Sequence, residues 1–210
     1  MRITVFGATG GVGQEIVRQG LTDGHWVTAV VRDPARLTVT GDGLDVVRSD
    51  LTAPEEVRAA VAGRGAVFSA LGPRSRKDGD VTARLTRAVL IAMAAEDVRR
   101  LLVVSASPLA AAPPGEPLSD RLMGAVVNRV FRYAYDDLRL MEAALAASSA
   151  DWTAVRPPRL LDGPVTGRYR STVGGNPPSA RSIRRADVAH AMLALIDDRS
   201  TVGRAVGVAE

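Results

Sequence analysis

Residues 1–13 constrain the fold more than any other part of the chain. The β-branched run Arg2–Phe6 leads into Gly7-Ala8-Thr9-Gly10-Gly11-Val12-Gly13, and apolar residues at helical spacing follow, so the glycines join a strand to a helix. Glycine lets the backbone turn tightly and come close to a ligand, while the helix N-terminus offers unpaired N–H groups to an anion. This context predicts a pyrophosphate-binding loop, and the alternative is a glycine-rich turn without a ligand.

Short apolar runs alternate with helical patterns along most of the chain. We predict strands at residues 2–6, 26–31, 44–47, 66–71, 101–105, 152–155 and 205–208, and helices at 11–21, 54–62, 80–95, about 120–147 and 185–197. Strands that alternate with helices form a parallel sheet covered on both sides. The expected fold class is therefore α/β, a Rossmann-type doubly wound parallel sheet with helices on both faces.

The second half of the chain is less regular. Residues 106–119 contain four prolines and are predicted to form a loop. Residues 157–182 are rich in Gly, Pro and Arg, and we expect them to form a small irregular C-terminal lobe that binds the substrate. The whole chain, residues 1–210, is predicted to be one domain.

Composition excludes several classes of protein. Cysteine is absent and only His25 and His190 are present, so no metal site is expected. No apolar run reaches the roughly 18 residues of a membrane-spanning helix, and the N-terminus lacks a secretory signal. Net charge is +4 and the arginines are spread along the chain, which argues against nucleic acid as a partner. We expect a cytoplasmic protein that binds neither membranes nor nucleic acids, as a monomer or homodimer.

The end of the second strand indicates which dinucleotide is bound. This position faces the adenosine ribose, where an acid selects NAD and an arginine selects the 2′-phosphate of NADP. Arg32 occupies it and Arg36 follows about one helical turn later, so NADP(H) is preferred over NAD(H). Two alternatives stay open, since Asp33 could accept hydrogen bonds from the ribose and both arginines could simply be solvated.

Several segments resemble a known group of proteins. GATGGVG, VVRDPARL, the SDL of residues 49–51, VFSALG and VVSAS resemble the atypical short-chain dehydrogenase/reductases, an NAD(P)-binding group. DWTAVRPPRLLDGPVTGRYR followed by SIRRADVAHAML is similar to biliverdin-IX-beta reductase/flavin reductase and its NmrA-like bacterial relatives. The resemblance covers essentially the whole chain.

The resemblance implies a set of site residues. The pyrophosphate would lie on Gly7, Thr9, Gly10, Gly11, Val12 and Gly13, the 2′-phosphate on Arg32 and Arg36, and the adenine between Asp50 and Leu51. Ala70, Leu71 and Gly72 would line the nicotinamide ribose, with Ser105 beside the nicotinamide. Pro157 would border the cofactor and, with Pro158 and Arg159, shape the floor of the substrate pocket. A cationic rim would come from Arg74, Arg76, Arg159, Arg168 and Arg170.

Acid–base chemistry has few candidate residues. A classical short-chain dehydrogenase pairs its serine with a tyrosine and a lysine four residues later, whereas here Tyr135 is followed by Arg139. The candidate catalytic residues are Ser105 and Tyr135, and the alternative is that Tyr133 and Tyr135 pack against the loop or form a dimer face. His190 and Asp187 are expected to be structural.

These features predict an NADPH-dependent oxidoreductase that transfers a hydride to a flavin, quinone or other conjugated planar acceptor. FMN or FAD would be a substrate rather than a prosthetic group. The alternatives are an NmrA-like NADP(H)-binding redox sensor without turnover, and a biosynthetic ketoreductase or epimerase-type short-chain dehydrogenase.

Overall fold

A computed structural model of the chain describes residues 1–72, 79–110 and 129–210. Its strands are β1 (Arg2–Phe6), β2 (Trp26–Val31), β3 (Leu44–Arg48), β4 (Ala66–Ser69), β5 (Arg100–Val104), β6 (Asp151–Arg156), β7 (Arg159–Leu161), β8 (Arg170–Val173), β9 (Ser182–Arg184) and β10 (Arg204–Ala209). Its helices are α1 (Gly11–Thr22), α2 (Pro54–Val61), α3 (Val81–Ala95), α4 (Arg132–Ala146) and α5 (Arg185–Ala194).

The central sheet has eight strands in the order β3-β2-β1-β4-β5-β6-β10-β8. All of its neighbouring pairs are parallel except β10 and β8. The first six strands follow the order usual for doubly wound dinucleotide-binding sheets. The chain adds β2 and β3 on one side of β1 and then β4, β5 and β6 on the other side, and this change of side leaves a crevice between β1 and β4. The predicted Rossmann-type fold class is confirmed.

Both faces of the sheet are covered by helices. On one face α1 and α5 bury Ile16 and Met192 against the sheet, and on the other α2, α3 and α4 bury side chains such as Val57 and Met141. Successive side chains of β1 point to opposite sides, so Val5 joins the first cluster and Phe6 the second. Burial on both faces explains why the central strands β1, β2, β4 and β5 consist mainly of buried apolar residues instead of alternating apolar and polar ones. None of the helices in the described ranges is long and apolar enough to cross a membrane.

Residues 157–182 are more regular than expected. Instead of an irregular lobe, the segment contains β7, which pairs with β9, and β8, which joins the main sheet. Strand β8 runs antiparallel to β10, with Thr172 opposite Gly207, and so provides hydrogen-bond partners for an edge that would otherwise be open. The expectation of irregularity came from the Gly and Pro content, which does not reveal pairing with a distant strand.

Two other predicted segments are only partly described. The helix expected over residues 120–147 corresponds to α4, and residues 111–128 lie outside the described ranges. In the loop expected over residues 106–119, Ser107–Leu109 forms a short 3-10 turn and the part beyond Ala110 lies outside the described ranges.

A buried acid joins the two helices that pack beside each other on the second face. Asp137 on α4 is 2% exposed, and its carboxylate accepts the backbone N–H groups of Thr82 and Ala83 at 2.9 Å each. These N–H groups belong to the first turn of α3, where they have no partner within the helix. The carboxylate also matches the positive end of the helix dipole. Asp137 therefore caps α3 from the neighbouring helix.

Candidate functional site

A cleft of about 710 Å³ opens at the carboxyl edge of the sheet, beside the ends of β1, β2, β4 and β5. It brings together most of the residues predicted to bind the cofactor: Gly7, Thr9, Gly10, Gly11, Val12, Arg32, Arg36, Asp50, Leu51, Ala70, Leu71, Gly72 and Ser105. Residues that come from distant parts of the chain thus share one surface. Of the predicted cofactor residues, Gly13 and Pro157 lie outside the described lining.

The glycine loop is held by contacts that exclude larger residues. Gly7 has a φ of +74°, and a Cβ at this position would lie 2.5 Å from the carbonyl oxygen of Ala70. A Cβ on Gly13 would lie 2.8 Å from the carbonyl carbon of Gly7 and closer still to its oxygen. Gly13 therefore lets α1 pack against the turn without itself lining the cleft. Within the loop the Gly10 N–H donates to the Gly7 carbonyl oxygen at 2.9 Å, and the N–H groups of the first turn of α1, which have no partner within the helix, are the ones suited to bind an anion.

Two arginines form the end of the cleft beyond β2. Arg32 directly follows the strand and Arg36 ends the short 3-10 turn Pro34–Arg36, and both are exposed. The Asp33 carboxylate accepts the backbone N–H of Ala35 at 3.2 Å and so caps this turn. That hydrogen bond gives Asp33 a structural role, and because a carboxylate has further acceptor sites the alternative in which Asp33 binds the ribose stays open.

The segment after β3 forms the neighbouring wall. Leu51 has a φ of +64°, unusual for a residue with a side chain, and its N–H donates to Ser49 Oγ at 3.0 Å. The Thr52 hydroxyl and N–H donate to Asp50, and together with the charge of Arg32 they lower the pKa of the Asp50 carboxyl. A strained residue held by local hydrogen bonds is typical of a functional site. Both Asp50 and Leu51 line the cleft, and their adenine-flanking role stays a prediction.

Ser105 belongs to a network that local sequence patterns did not reveal. Its hydroxyl lies 2.6 Å from Glu142 Oε1 and donates to it, because a carboxylate can only accept. Arg156 donates to both oxygens of Glu142, and the two side chains are 13% and 16% exposed. The hydrogen of Ser105 is therefore directed at Glu142, which is outside the described lining of the cleft, and the Ser105 oxygen is left as a hydrogen-bond acceptor.

Tyr135 and Arg139 do not contact each other in the way a catalytic pair would. Arg139 Nη1 donates to Asp136 at 2.7 Å, and the Tyr135 ring packs against Phe131 with ring centroids 6.2 Å apart. Burial raises the pKa of Tyr135, so its phenol stays protonated at neutral pH. Neither Tyr135 nor Tyr133 is among the described lining residues of the cleft, and a catalytic role for Tyr135 stays a prediction. Tyr133 is exposed, and the dimer-face alternative also remains open.

The residues predicted to bind substrate are scattered. Pro157 is buried and its carbonyl oxygen accepts the N–H of Ser107 at 2.9 Å, while Pro158 is half-buried and Arg159 exposed at the start of β7. Arg170 donates to the carbonyl oxygens of Pro178 and Glu210, which makes it a structural residue. Arg168 is exposed. Arg74 and Arg76 lie outside the described ranges.

Other lining residues were missed because their approach depends on how distant elements pack. They are Val30, Val31, Ser49, Val81, Arg84, Leu85, Val104, Leu138, Leu160 and Arg185. Leu85 on α3, Leu138 on α4 and Leu160 on β7 supply apolar surface. The described lining contains four arginines and one aspartate, so the cleft suits an anionic ligand.

The sheet order and the glycine turn at its crevice define a dinucleotide-binding protein. The chain matches the family model described as NAD(P)H-binding over residues 7–199 and belongs to that family.

Similar proteins include named enzymes. The chain is 28% identical to the "uncharacterized sugar epimerase YhfK" of Bacillus subtilis, over 100% of this chain and 94% of that protein. It is also 28% identical to (4-alkanoyl-5-oxo-2,5-dihydrofuran-3-yl)methyl phosphate reductase of Streptomyces griseus, over 98% of this chain and 67% of that protein. Among solved structures, the anaerobillin reductase ChuY of Escherichia coli O157:H7 is similar in fold, with a TM-score of 0.81 at 24% identity over 100% of this chain and 97% of that one. The family is one of NAD(P)H-dependent oxidoreductases.

Proposed function

We propose that the protein transfers a hydride from NADPH to an electron-poor, conjugated, planar acceptor such as a flavin or a quinone. The hydride leaves C4 of the nicotinamide with two electrons, and the reduced acceptor takes its proton from solvent. The protein supplies binding and orientation, while the coenzyme supplies the reducing power. A flavin would be a substrate that leaves after reduction.

The observation that carries this proposal is the hydrogen bond from Ser105 to Glu142. Reduction of an isolated ketone needs a proton donor beside the forming alkoxide. The hydrogen of Ser105 is already directed to a carboxylate, and among the described lining residues there is no tyrosine, histidine or lysine. A conjugated acceptor spreads the incoming charge over its ring system and has less need of such a donor.

The Streptomyces relative supports the same class of acceptor. Its name describes a reductase whose substrate carries a 5-oxo-2,5-dihydrofuran ring and a phosphate. That ring is a conjugated carbonyl compound, and the phosphate is an anion of the kind that a cationic cleft attracts. For this chain we therefore expect acceptors that combine a conjugated ring with a negative charge.

Two arginines support NADPH as the preferred donor. Arg32 and Arg36 both line the cleft, and two guanidiniums beside one ribose suit a phosphate dianion. Asp33 uses one carboxylate oxygen to cap the turn at Ala35, which holds Arg36 beside the same end of the cleft as Arg32. We expect NADH to bind more weakly than NADPH.

An acceptor panel tests the proposal. Purified protein would be mixed with NADPH and with FMN, FAD, a quinone, biliverdin or an unconjugated ketone, while the absorbance of the reduced nicotinamide is followed. Oxidation with conjugated acceptors but not with the ketone supports the proposal. Reduction of the ketone that disappears in Tyr135→Phe would instead indicate a ketoreductase. Tight binding of NADPH without turnover across the panel would favour the redox sensor.

A further inference from the structure

The side chain of Arg185 lies across the glycine loop. A Cβ built on Gly11 would lie 2.8 Å from Arg185 Nε and closer still to its Cδ. Arg185 is the first residue of α5 and lines the same cleft as Gly7 and Gly10. Its guanidinium is therefore held beside the backbone N–H groups that are expected to bind the pyrophosphate.

Arg185 is only lightly held in this position. Its Nη1 donates to Asp162 Oδ1 at 2.6 Å, and within the described residues its other N–H groups have no protein partner. The Asp162 side chain is 94% exposed, and ion pairs this open to water are weak. The guanidinium carries five N–H donors, so a second anion at the glycine loop can bind it.

Arg32 and Arg36 do not neutralise an anion that binds at the glycine-loop end of the cleft. Arg32 and Arg36 lie beyond β2, at the end assigned to the adenosine ribose, whereas the glycine loop offers N–H dipoles without a full positive charge. A pyrophosphate carries two negative charges, and a guanidinium binds phosphate oxygens through paired, charge-assisted hydrogen bonds.

We propose that Arg185 binds the pyrophosphate of NADPH and that Asp162 competes with the coenzyme for the same guanidinium. The proposal rests on the proposed function, because it assumes that NADPH binds at the glycine loop. The Asp162 carboxylate, already in contact with the guanidinium, would also lie close enough to the pyrophosphate to repel it. Arg185 thus strengthens coenzyme binding and Asp162 weakens it.

Calorimetric titration of four proteins tests both halves of the proposal. The wild type, Arg185→Met, Asp162→Asn and the control Arg18→Met would each be titrated with NADPH and with adenosine 2′-monophosphate, which lacks a pyrophosphate. Arg18 is a matched control because it lies on the neighbouring helix α1, is also paired with a carboxylate, Glu15, and is outside the described lining of this cleft. Thermal unfolding of each variant would establish that it is folded.

The expected changes are selective. We expect Arg185→Met to weaken NADPH binding about tenfold while binding of adenosine 2′-monophosphate changes by less than about twofold. Asp162→Asn should bind NADPH about threefold more tightly, because a like charge is removed. Arg18→Met should match the wild type.

The outcomes separate this proposal from the proposed function. If the wild type does not bind NADPH, the proposed function fails. If the wild type binds and Arg185→Met binds equally well, or if both ligands weaken equally in Arg185→Met, the role of Arg185 is wrong although the function stands. Unchanged or weaker binding of NADPH by Asp162→Asn would overturn the competition.

Discussion

Asp137 on α4 holds Thr82 at the start of α3: its Oδ2 accepts the Thr82 N–H at 2.9 Å, 55 residues away in the sequence. The two helices joined in this way both contribute to the cleft, through Val81 and Leu85 on α3 and Leu138 on α4. This buried carboxylate therefore helps to position the apolar wall, together with the apolar side chains that α3 and α4 share in one core cluster.

Replacing this carboxylate should destabilise the fold. Asp137→Ala leaves two buried N–H groups without a partner, and we expect the free energy of unfolding to fall by about 3 kcal/mol. Urea unfolding at neutral pH measures the change. Asp136→Ala is the matched control, because the Asp136 carboxylate is next in the sequence but half-exposed and forms surface ion pairs with Arg132 and Arg139. This variant should change the free energy of unfolding by less than about 1 kcal/mol. Similar losses in both variants would contradict the capping role.

Coenzyme choice should depend on Arg32. Arg32→Ala removes one guanidinium from the 2′-phosphate, and we expect the Kd of NADPH to rise about tenfold and that of NADH by less than about twofold. Both Kd values can be measured by calorimetry. Arg99→Ala serves as the control, because Arg99 lies directly before β5, at the amino ends of the parallel strands, whereas the cleft lies at their carboxyl ends. Equal losses for the two coenzymes would remove the assignment of Arg32 to the 2′-phosphate.

Ser105 should contribute to binding rather than to proton transfer. Because the Ser105 hydroxyl donates its hydrogen bond to Glu142, the Ser105 oxygen can accept a hydrogen bond from the N–H of the nicotinamide carboxamide. We expect Ser105→Ala to raise the KM for NADPH about fivefold and to change kcat by less than about threefold. Steady-state kinetics with the most active acceptor checks this, and binding of adenosine 2′-monophosphate should not change. A large loss of kcat at constant KM would mean that Ser105 donates to the acceptor.

Acid should destabilise the loop before β8 through Asp187, which is fully buried in the first turn of α5. Burial alone would raise the pKa of Asp187, but hydrogen bonds from Thr166 N–H and Oγ1 and from Gly167 N–H outweigh it and lower the pKa. The ionised form is therefore favoured in the folded state. Its contribution is complete above the unfolded value of about 3.9 and is lost as the pH falls through the lower folded pKa.

Asp187→Asn tests this dependence. We expect the variant to be about 2 kcal/mol less stable at pH 7 and to lose less additional stability than the wild type between about pH 5 and pH 2. Urea unfolding across this range measures both effects. Asp45→Asn, on the exposed edge strand β3, should follow the wild-type profile. If Asp187→Asn had the same acid profile as the wild type, its carboxylate would not be responsible.

Local patterns were sufficient to predict the elements of the first half and the glycine loop. A strand, a turn and a helix are each determined by neighbouring residues, and Gly7 and Gly13 meet within a few residues of each other. The same local signal placed Arg32 at the end of β2. The arrangement of these elements then followed from the preference for parallel sheets and right-handed crossovers.

The contacts that complete the site join residues far apart in the chain. Ser105 is 37 residues from Glu142, and Asp137 is 54 residues from Ala83. A signal was nevertheless present, because each acid interrupts the apolar positions of α4 near Leu138 and Met141. A carboxylate in such a position indicates a buried partner without identifying it. Arg185 carried no such signal among so many arginines.

The exposed position of Arg32 and Arg36 has a consequence for how this protein can change. The turn at Gly7 tolerates no methyl group, whereas Arg32 and Arg36 are exposed side chains at the end of the cleft. Under the role proposed for Arg32 and Arg36, a change of coenzyme preference would require substitutions only at exposed positions and none in the core.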